Sequence, residues 1–218
     1  MKYSQSLCAL NLFKAEAQID QLVNDGLEYI HLDLVDYHYA PSFGLNFQTI
    51  DYIINKYPEL NYDIHAMVDN IEIYLPQIHK MKIQRVSFPM DKADVNLLNK
   101  LKKLYQPIQF GIMIEAHNLV DPELINACDF VVLMTIDKIG GTGVKLNPTL
   151  LDKVAEIREI KPQMMIISDG GLRVENAYLF KQVNVDVAVG GSIIFNYPYE
   201  KYENFMDYWN NEVDLERD

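Results

Sequence analysis

Residues able to do chemistry are concentrated at the ends of three short apolar runs. These are Tyr29-Ile30-His31-Leu32-Asp33, Tyr62-Asp63-Ile64-His65 and Met165-Ile166-Ile167-Ser168-Asp169. His31 and Asp33 stand two residues apart, so on a β-strand both side chains leave the same face. An apolar strand seldom carries two ionisable groups on one face unless they are paired or bound to something, because an unpaired buried charge is costly. Two imidazoles and two carboxylates gathered in this way can hold one divalent cation, and the carboxylates can also move protons. The simpler reading of His31 with Asp33 is a hydrogen bond at a strand end, and that of His65 alone is a satisfied core histidine. Taken together, the three favour the ligand reading.

Glycines follow the same kind of run. Gly170-Gly171 comes directly after Asp169, and Gly190-Gly191-Ser192 follows Val187-Ala188-Val189 and leads into Ile193-Ile194-Phe195. Glycine after a strand lets the backbone turn sharply and approach a ligand closely. Gly140-Gly141-Thr142-Gly143 is too short for a Walker loop, and Val144-Lys145 breaks that pattern. It reads as a lid, a third phosphate-facing loop or a plain solvent loop. Asp36 and His38 fall in a loop with Tyr37, Tyr39 and Pro41 and are expected either to support the ligands from behind or to anchor that loop. His79 and His117 read as surface or loop residues.

Bringing the three runs to one point requires a particular architecture. Short β-like runs begin near Ser6, Tyr29, Tyr62, Arg85, Gln109, Phe130, Met164 and Val185. Between them lie segments of helical period: Asn11–Asn24, Phe47–Lys56, Ile71–His79, Val95–Leu104, Asp121–Ala127, Pro148–Ile160 and Val174–Val183. In the first, Leu12, Phe13, Ala17, Ile19 and Leu22 fall mostly at helical spacing. Tyr199–Val213 is acidic and aromatic and is read as an eighth helix. Eight strand–helix units suit a (β/α)₈ TIM barrel, expected as one domain over residues 1–218. A doubly wound open sheet alternates in the same way. Ligand placement favours the barrel, whose strand ends converge on one mouth, whereas an open sheet spreads them along a row. In a barrel, glycines after the seventh and eighth strands flank one phosphate pocket.

Nineteen Lys plus Arg against 31 Asp plus Glu give a net charge of −12. That argues against nucleic acid as a partner, since phosphate backbones want a basic stripe. A small phosphorylated ligand remains open, because backbone N–H groups can bind phosphate. Cys8 and Cys128 are too few for a disulfide framework, which favours a reducing cytoplasm. The start lacks the apolar segment of a signal peptide, and no apolar run approaches the roughly 20 residues of a membrane span. With 14 Tyr and 9 Phe, association into a homo-oligomer is expected.

From about Ser6 to Phe195 the chain resembles the ribulose-phosphate 3-epimerase family. The matching motifs are His31-x-Asp33, His65-Ala66-Met67, Leu133-Met134-Thr135, Asp169-Gly170-Gly171, Gly191-Ser192 and Ser6-Leu7. The resemblance implies a ribulose-phosphate-binding (β/α)₈ barrel with one divalent metal (zinc, iron, manganese or cobalt) on His31, Asp33, His65 and Asp169. It implies Asp33 and Asp169 as the acid/base pair inverting C3 of a ketose phosphate through an enediolate. Ser6, His65, Gly140, Gly141, Thr142, Gly143, Gly170, Gly171, Gly191 and Ser192 are then the substrate- and phosphate-binding candidates. The chain departs from the family at other loops. Val35-Asp36-Tyr37-His38-Tyr39 stands for Met-Asp-Gly-His-Phe, and Asp137-Lys138-Ile139-Gly140-Gly141-Thr142 for Asn-Pro-Gly-Phe-Gly-Gly. Phe88-Pro89-Met90 replaces His-x-Glu, and Glu115-Ala116 replaces Asn-Pro. The competing readings are an allulose 6-phosphate 3-epimerase and a barrel that binds metal and sugar phosphate without turnover. A phosphate-binding decarboxylase is disfavoured, because Val35 occupies the position of its strand-two lysine.

Overall fold

Alternate residues of each strand face two different apolar layers. In the computed structural model, which describes residues 1–11, 13–140 and 143–214, eight parallel strands follow one another in chain order. They are β1 (Lys2–Ser6), β2 (Tyr29–Val35), β3 (Asn61–Met67), β4 (Arg85–Pro89), β5 (Gln109–Ile114), β6 (Phe130–Met134), β7 (Met165–Asp169) and β8 (Val187–Gly190). β8 pairs back onto β1, which closes a TIM barrel and excludes the open sheet. The helices are α1 (Ala15–Asn24), α2 (Phe47–Lys56), α3 (Leu75–Ile78), α4 (Val95–Leu104), α5 (Pro122–Ala127), α6 (Lys153–Ile160), α7 (Ala177–Gln182) and α8 (Phe205–Tyr208).

Outward-facing Leu32, Ile64, Val86, Ile112, Val131 and Ile166 are fully buried against helix residues such as Ile50, Leu98, Leu101 and Ile157. A second cluster fills the barrel itself, with Met113, Phe130, Val132, Met134, Ile167 and Val189. Because side chains alternate along a strand, the residues between the outward set must point inward, and in β2 and β3 these are His31, Asp33, Asp63 and His65. Pairing puts His31 beside Asp63 and Asp33 beside His65, while Met134 stands beside Asp169. Gly44 seats the loop after β2 against that strand. A Cβ there would lie 2.4 Å from Asp33 O and Val35 N. Gly44→Ala is therefore expected to cost about 1–3 kcal/mol, the range for overpacking, measured by urea unfolding.

Several elements differ from the sequence expectation. β1 ends at Ser6 instead of starting there. Apart from the buried Tyr3 its residues are polar, and backbone pairing with β2 and β8 holds it without an apolar run. α1 starts at Ala15, and Phe13 stands outside it, 95% exposed. Leu12, Gly141 and Thr142 lie outside the described residues. Segment 71–79 splits into a 3₁₀ turn, Ile71–Ile73, and the short α3, where Pro76 sits in the first turn because it has no N–H to donate. Pro148–Asp152 and Val174–Asn176 are likewise 3₁₀ turns ahead of α6 and α7, and Tyr199–Val213 is helical only from Phe205. Among the described residues no helix is long and apolar enough to cross a membrane.

Candidate metal centre and substrate cavity

Register and strand alternation deliver four donor atoms to one point at the C-terminal end of the barrel. His31 Nε2 lies 3.2 Å from Asp33 Oδ1 and 3.5 Å from Asp169 Oδ2. His65 Nδ1 lies 3.6 Å and 3.2 Å from the same two oxygens, and the two ring nitrogens are 3.2 Å apart. All four donor atoms lie within 4.8 Å of one another, near enough to share one ion.

The remaining ring atoms fix the tautomers. His31 Nδ1 faces Asp63 Oδ2 at 2.6 Å, and His65 Nε2 faces Met113 Sδ at 2.7 Å. A carboxylate oxygen and a thioether act here as acceptors, so the ring protons belong on those outer nitrogens. The lone pairs of His31 Nε2 and His65 Nδ1 are left facing the carboxylates of Asp33 and Asp169. That donor set, buried and oriented from behind, fits a single divalent ion. Without one, protons on these nitrogens must meet the carboxylates. Burial pushes the His31 pKa down, but Asp63 and Asp33 outweigh it and hold the imidazole well above its ordinary range. His65 is raised against the same burial by Asp169 and Asp33. Burial raises Asp33 and Asp169, yet the neighbouring imidazoles hold both below the usual carboxylate range.

A cavity of about 520 Å³ opens above this cluster. Asp33 and Asp169 form part of its floor, and both imidazoles are fully buried. Ser6 Oγ, at the end of β1, donates to Asp33 Oδ2 at 2.9 Å. β7 ends firmly, since Thr135 Oγ1 donates to Asp169 O at 3.0 Å and also to Gly170 O. Gly170 and Gly171 then turn with φ of 104° and 74°, values open to glycine but strained for other residues. A Cβ on Gly171 would meet Leu146 N at 2.5 Å.

The structure brings nearly every sequence candidate to this place. Ser6, Gly140, Gly143, Gly170, Gly171, Gly191 and Ser192 all line the cavity. His65 does not; it belongs to the buried cluster, and Met67, two residues on, reaches the wall instead. Asp36 anchors its loop as expected, accepting from His38 N at 2.8 Å and Tyr74 Oη at 2.9 Å, while His38 is exposed. His79 is exposed, and so is His117, which pairs with Asp91. Sequence reasoning gave no role to Asp63 or to Arg173, which also lines the cavity. The signal for Asp63 was present: Asp63-x-His65 repeats the two-residue spacing of His31-x-Asp33.

Known proteins agree with this architecture. A solved structure of 3-hexulose-6-phosphate synthase from Salmonella typhimurium superposes with a TM-score of 0.67 at 18% identity, covering 91% of this chain and 92% of that one. That likeness establishes the fold alone. By sequence, the ribulose-phosphate 3-epimerase of Helicobacter pylori is 26% identical over 203 residues, covering 89% of this chain and 91% of its own. That of Methanocaldococcus jannaschii is 24% identical over 206 residues, covering 89% and 84%. The sequence profile of the family matches residues 2–195, every strand of the barrel included. The chain therefore belongs to the Ribulose-phosphate 3 epimerase family.

Proposed function

We propose that this protein epimerises C3 of a ketose phosphate, ribulose 5-phosphate and xylulose 5-phosphate being the pair, with Asp33 and Asp169 as acid and base and His31, Asp33, His65 and Asp169 as ligands of one divalent metal. The observation that carries the reading is the double position of the two aspartates, which join the buried imidazole cluster and form the cavity floor. They arrive on β2 and β7, three strands apart around the closed barrel, so they approach a bound substrate from different sides. Inversion needs one carboxylate to remove the C3 proton and the other to deliver a proton to the opposite face, the roles exchanging with direction. When bound, the metal supplies Lewis-acid stabilisation of the negative charge that develops on the substrate oxygens. Ser6 holds Oδ2 of Asp33 and so sets the plane of that carboxylate. The apolar wall, which includes Met67, Met134 and Val189, keeps water from the enediolate. The glycine loops after β7 and β8 are assigned to the phosphate.

The test is turnover by metal-loaded protein on a panel of ketose phosphates. Ribulose 5-phosphate should be converted to xylulose 5-phosphate with the highest kcat/KM. Preference for allulose 6-phosphate would change the substrate, and no turnover across the panel would refute the reading. A further expectation concerns Asp63, which orients His31 from behind. Asp63→Asn should weaken metal affinity by about 10–100-fold, the usual effect of removing such a partner, read by competition with a chromogenic chelator. An unchanged affinity would separate Asp63 from the centre.

A further inference from the structure

We infer that Arg173 is a specificity-determining residue that binds the phosphate of the substrate and selects phosphorylated sugars over free ones. The inference takes its ligand from the epimerase reading above. Among the described residues lining the cavity, Asp33, Asp169 and Arg173 are the charged ones, and Arg173 alone is cationic. A phosphate monoester carries roughly −1.5 to −2 charges at neutral pH. It would enter a cavity floored in part by Asp33 and Asp169, in a chain of net charge −12. The glycine loops offer N–H dipoles but no net positive charge. A guanidinium on the wall meets that need, with a planar fork that matches phosphate oxygens.

Arg173 is also free for the task and held in place. Its Nη1 donates to Leu172 O at 2.7 Å, and among the described residues it forms no ion pair. Arg158, by contrast, is bound to Asp186 at 2.8 Å. Asn176 clamps the loop that presents it: Oδ1 accepts from Arg173 N (2.8 Å) and Nδ2 donates to Gly171 O (2.9 Å). The loop thus runs from the glycines at 170 and 171 to Arg173 as one short, closed unit. Gly191 and Ser192 face the same cavity from β8.

The experiment uses full-length metal-loaded protein and D-ribitol 5-phosphate, which has no carbonyl and cannot react, with ribitol as its uncharged counterpart. Arg173→Ala should weaken ribitol 5-phosphate binding by about 10–100-fold, the effect of losing one charge-assisted contact, and leave ribitol binding as it was. Arg173→Lys should recover part of the loss, since it restores charge without the fork. With ribulose 5-phosphate the change should fall on KM far more than on kcat. Metal content equal to that of the parent identifies folded variants, and Arg173→Gln serves if the alanine variant fails that check. Binding of ribitol 5-phosphate within about twofold of the parent, in the alanine or the glutamine variant, overturns the inference while leaving epimerisation intact. Arg173-dependent binding in a protein that turns over no ketose phosphate would support the arginine and sink the epimerase reading. Failure of the parent protein to bind ribitol 5-phosphate would overturn both.

Discussion

Asp33→Asn and Asp169→Asn should each lower turnover of ribulose 5-phosphate by about 10³-fold or more, near the upper range for loss of a general acid or base. An asparagine keeps the shape and a ligating oxygen, so metal retention should be affected far less than rate. The two variants should also fail differently from a general loss of structure. Each retains one carboxylate, able to remove the C3 proton of one epimer from one face but left without a partner on the opposite face of C3. Exchange of that proton with solvent is then expected to continue for one epimer while inversion stops. The preferred epimer should switch between Asp33→Asn and Asp169→Asn. Near-normal inversion by either variant would remove that aspartate from the mechanism.

Loss of an imidazole should act on both metal and stability. His31 is fully buried among Asp33, Asp63 and Asp169, with contacts of 3.2, 2.6 and 3.5 Å. His31→Ala leaves these carboxylates without the ring they face, and breaking a buried pair by removing one partner costs about 3–5 kcal/mol. That loss should be measurable by urea unfolding of the metal-free protein. Metal affinity should fall by more than about 100-fold, beyond the range for outer partners, because a direct ligand is gone. His65→Ala should lose metal to a similar degree with a smaller loss of stability, since its ring faces two carboxylates and the Met113 thioether instead of three carboxylates. A His31→Ala protein that still bound one equivalent tightly would contradict the ligand assignment.

Much of the centre was legible in the sequence because a strand repeats every two residues. Once His31 and Asp33 lie on a strand they must share a face, and apolar Ile30 and Leu32 decide which face that is. What a strand cannot tell is its neighbour's register. The contact of His31 with Asp63 depends on β2 pairing with β3 at that offset, and the contact of Ser6 with Asp33 depends on β1 pairing with β2. Arg173 was hidden for a different reason. It lies four residues past a strand end, and only the two left-handed glycines and the Asn176 clamp carry it to the cavity wall. β1 escapes the apolar pattern because Lys2, Ser4, Gln5 and Ser6 are polar and backbone pairing with β2 and β8 holds the strand all the same. Helix starts shifted where prolines and 3₁₀ turns intervene, which apolar spacing alone does not reveal.

The most direct measurement is conversion of ribulose 5-phosphate in D₂O by the metal-loaded protein, with mass and NMR analysis of the product. Removal of the C3 proton by one carboxylate, and delivery of a solvent-derived one by the other acting as the carboxylic acid, requires xylulose 5-phosphate to carry deuterium at C3, in a reaction abolished by stripping the metal. Inversion without deuterium at C3, or undiminished inversion after chelation, would contradict epimerisation by Asp33 and Asp169 around a bound ion.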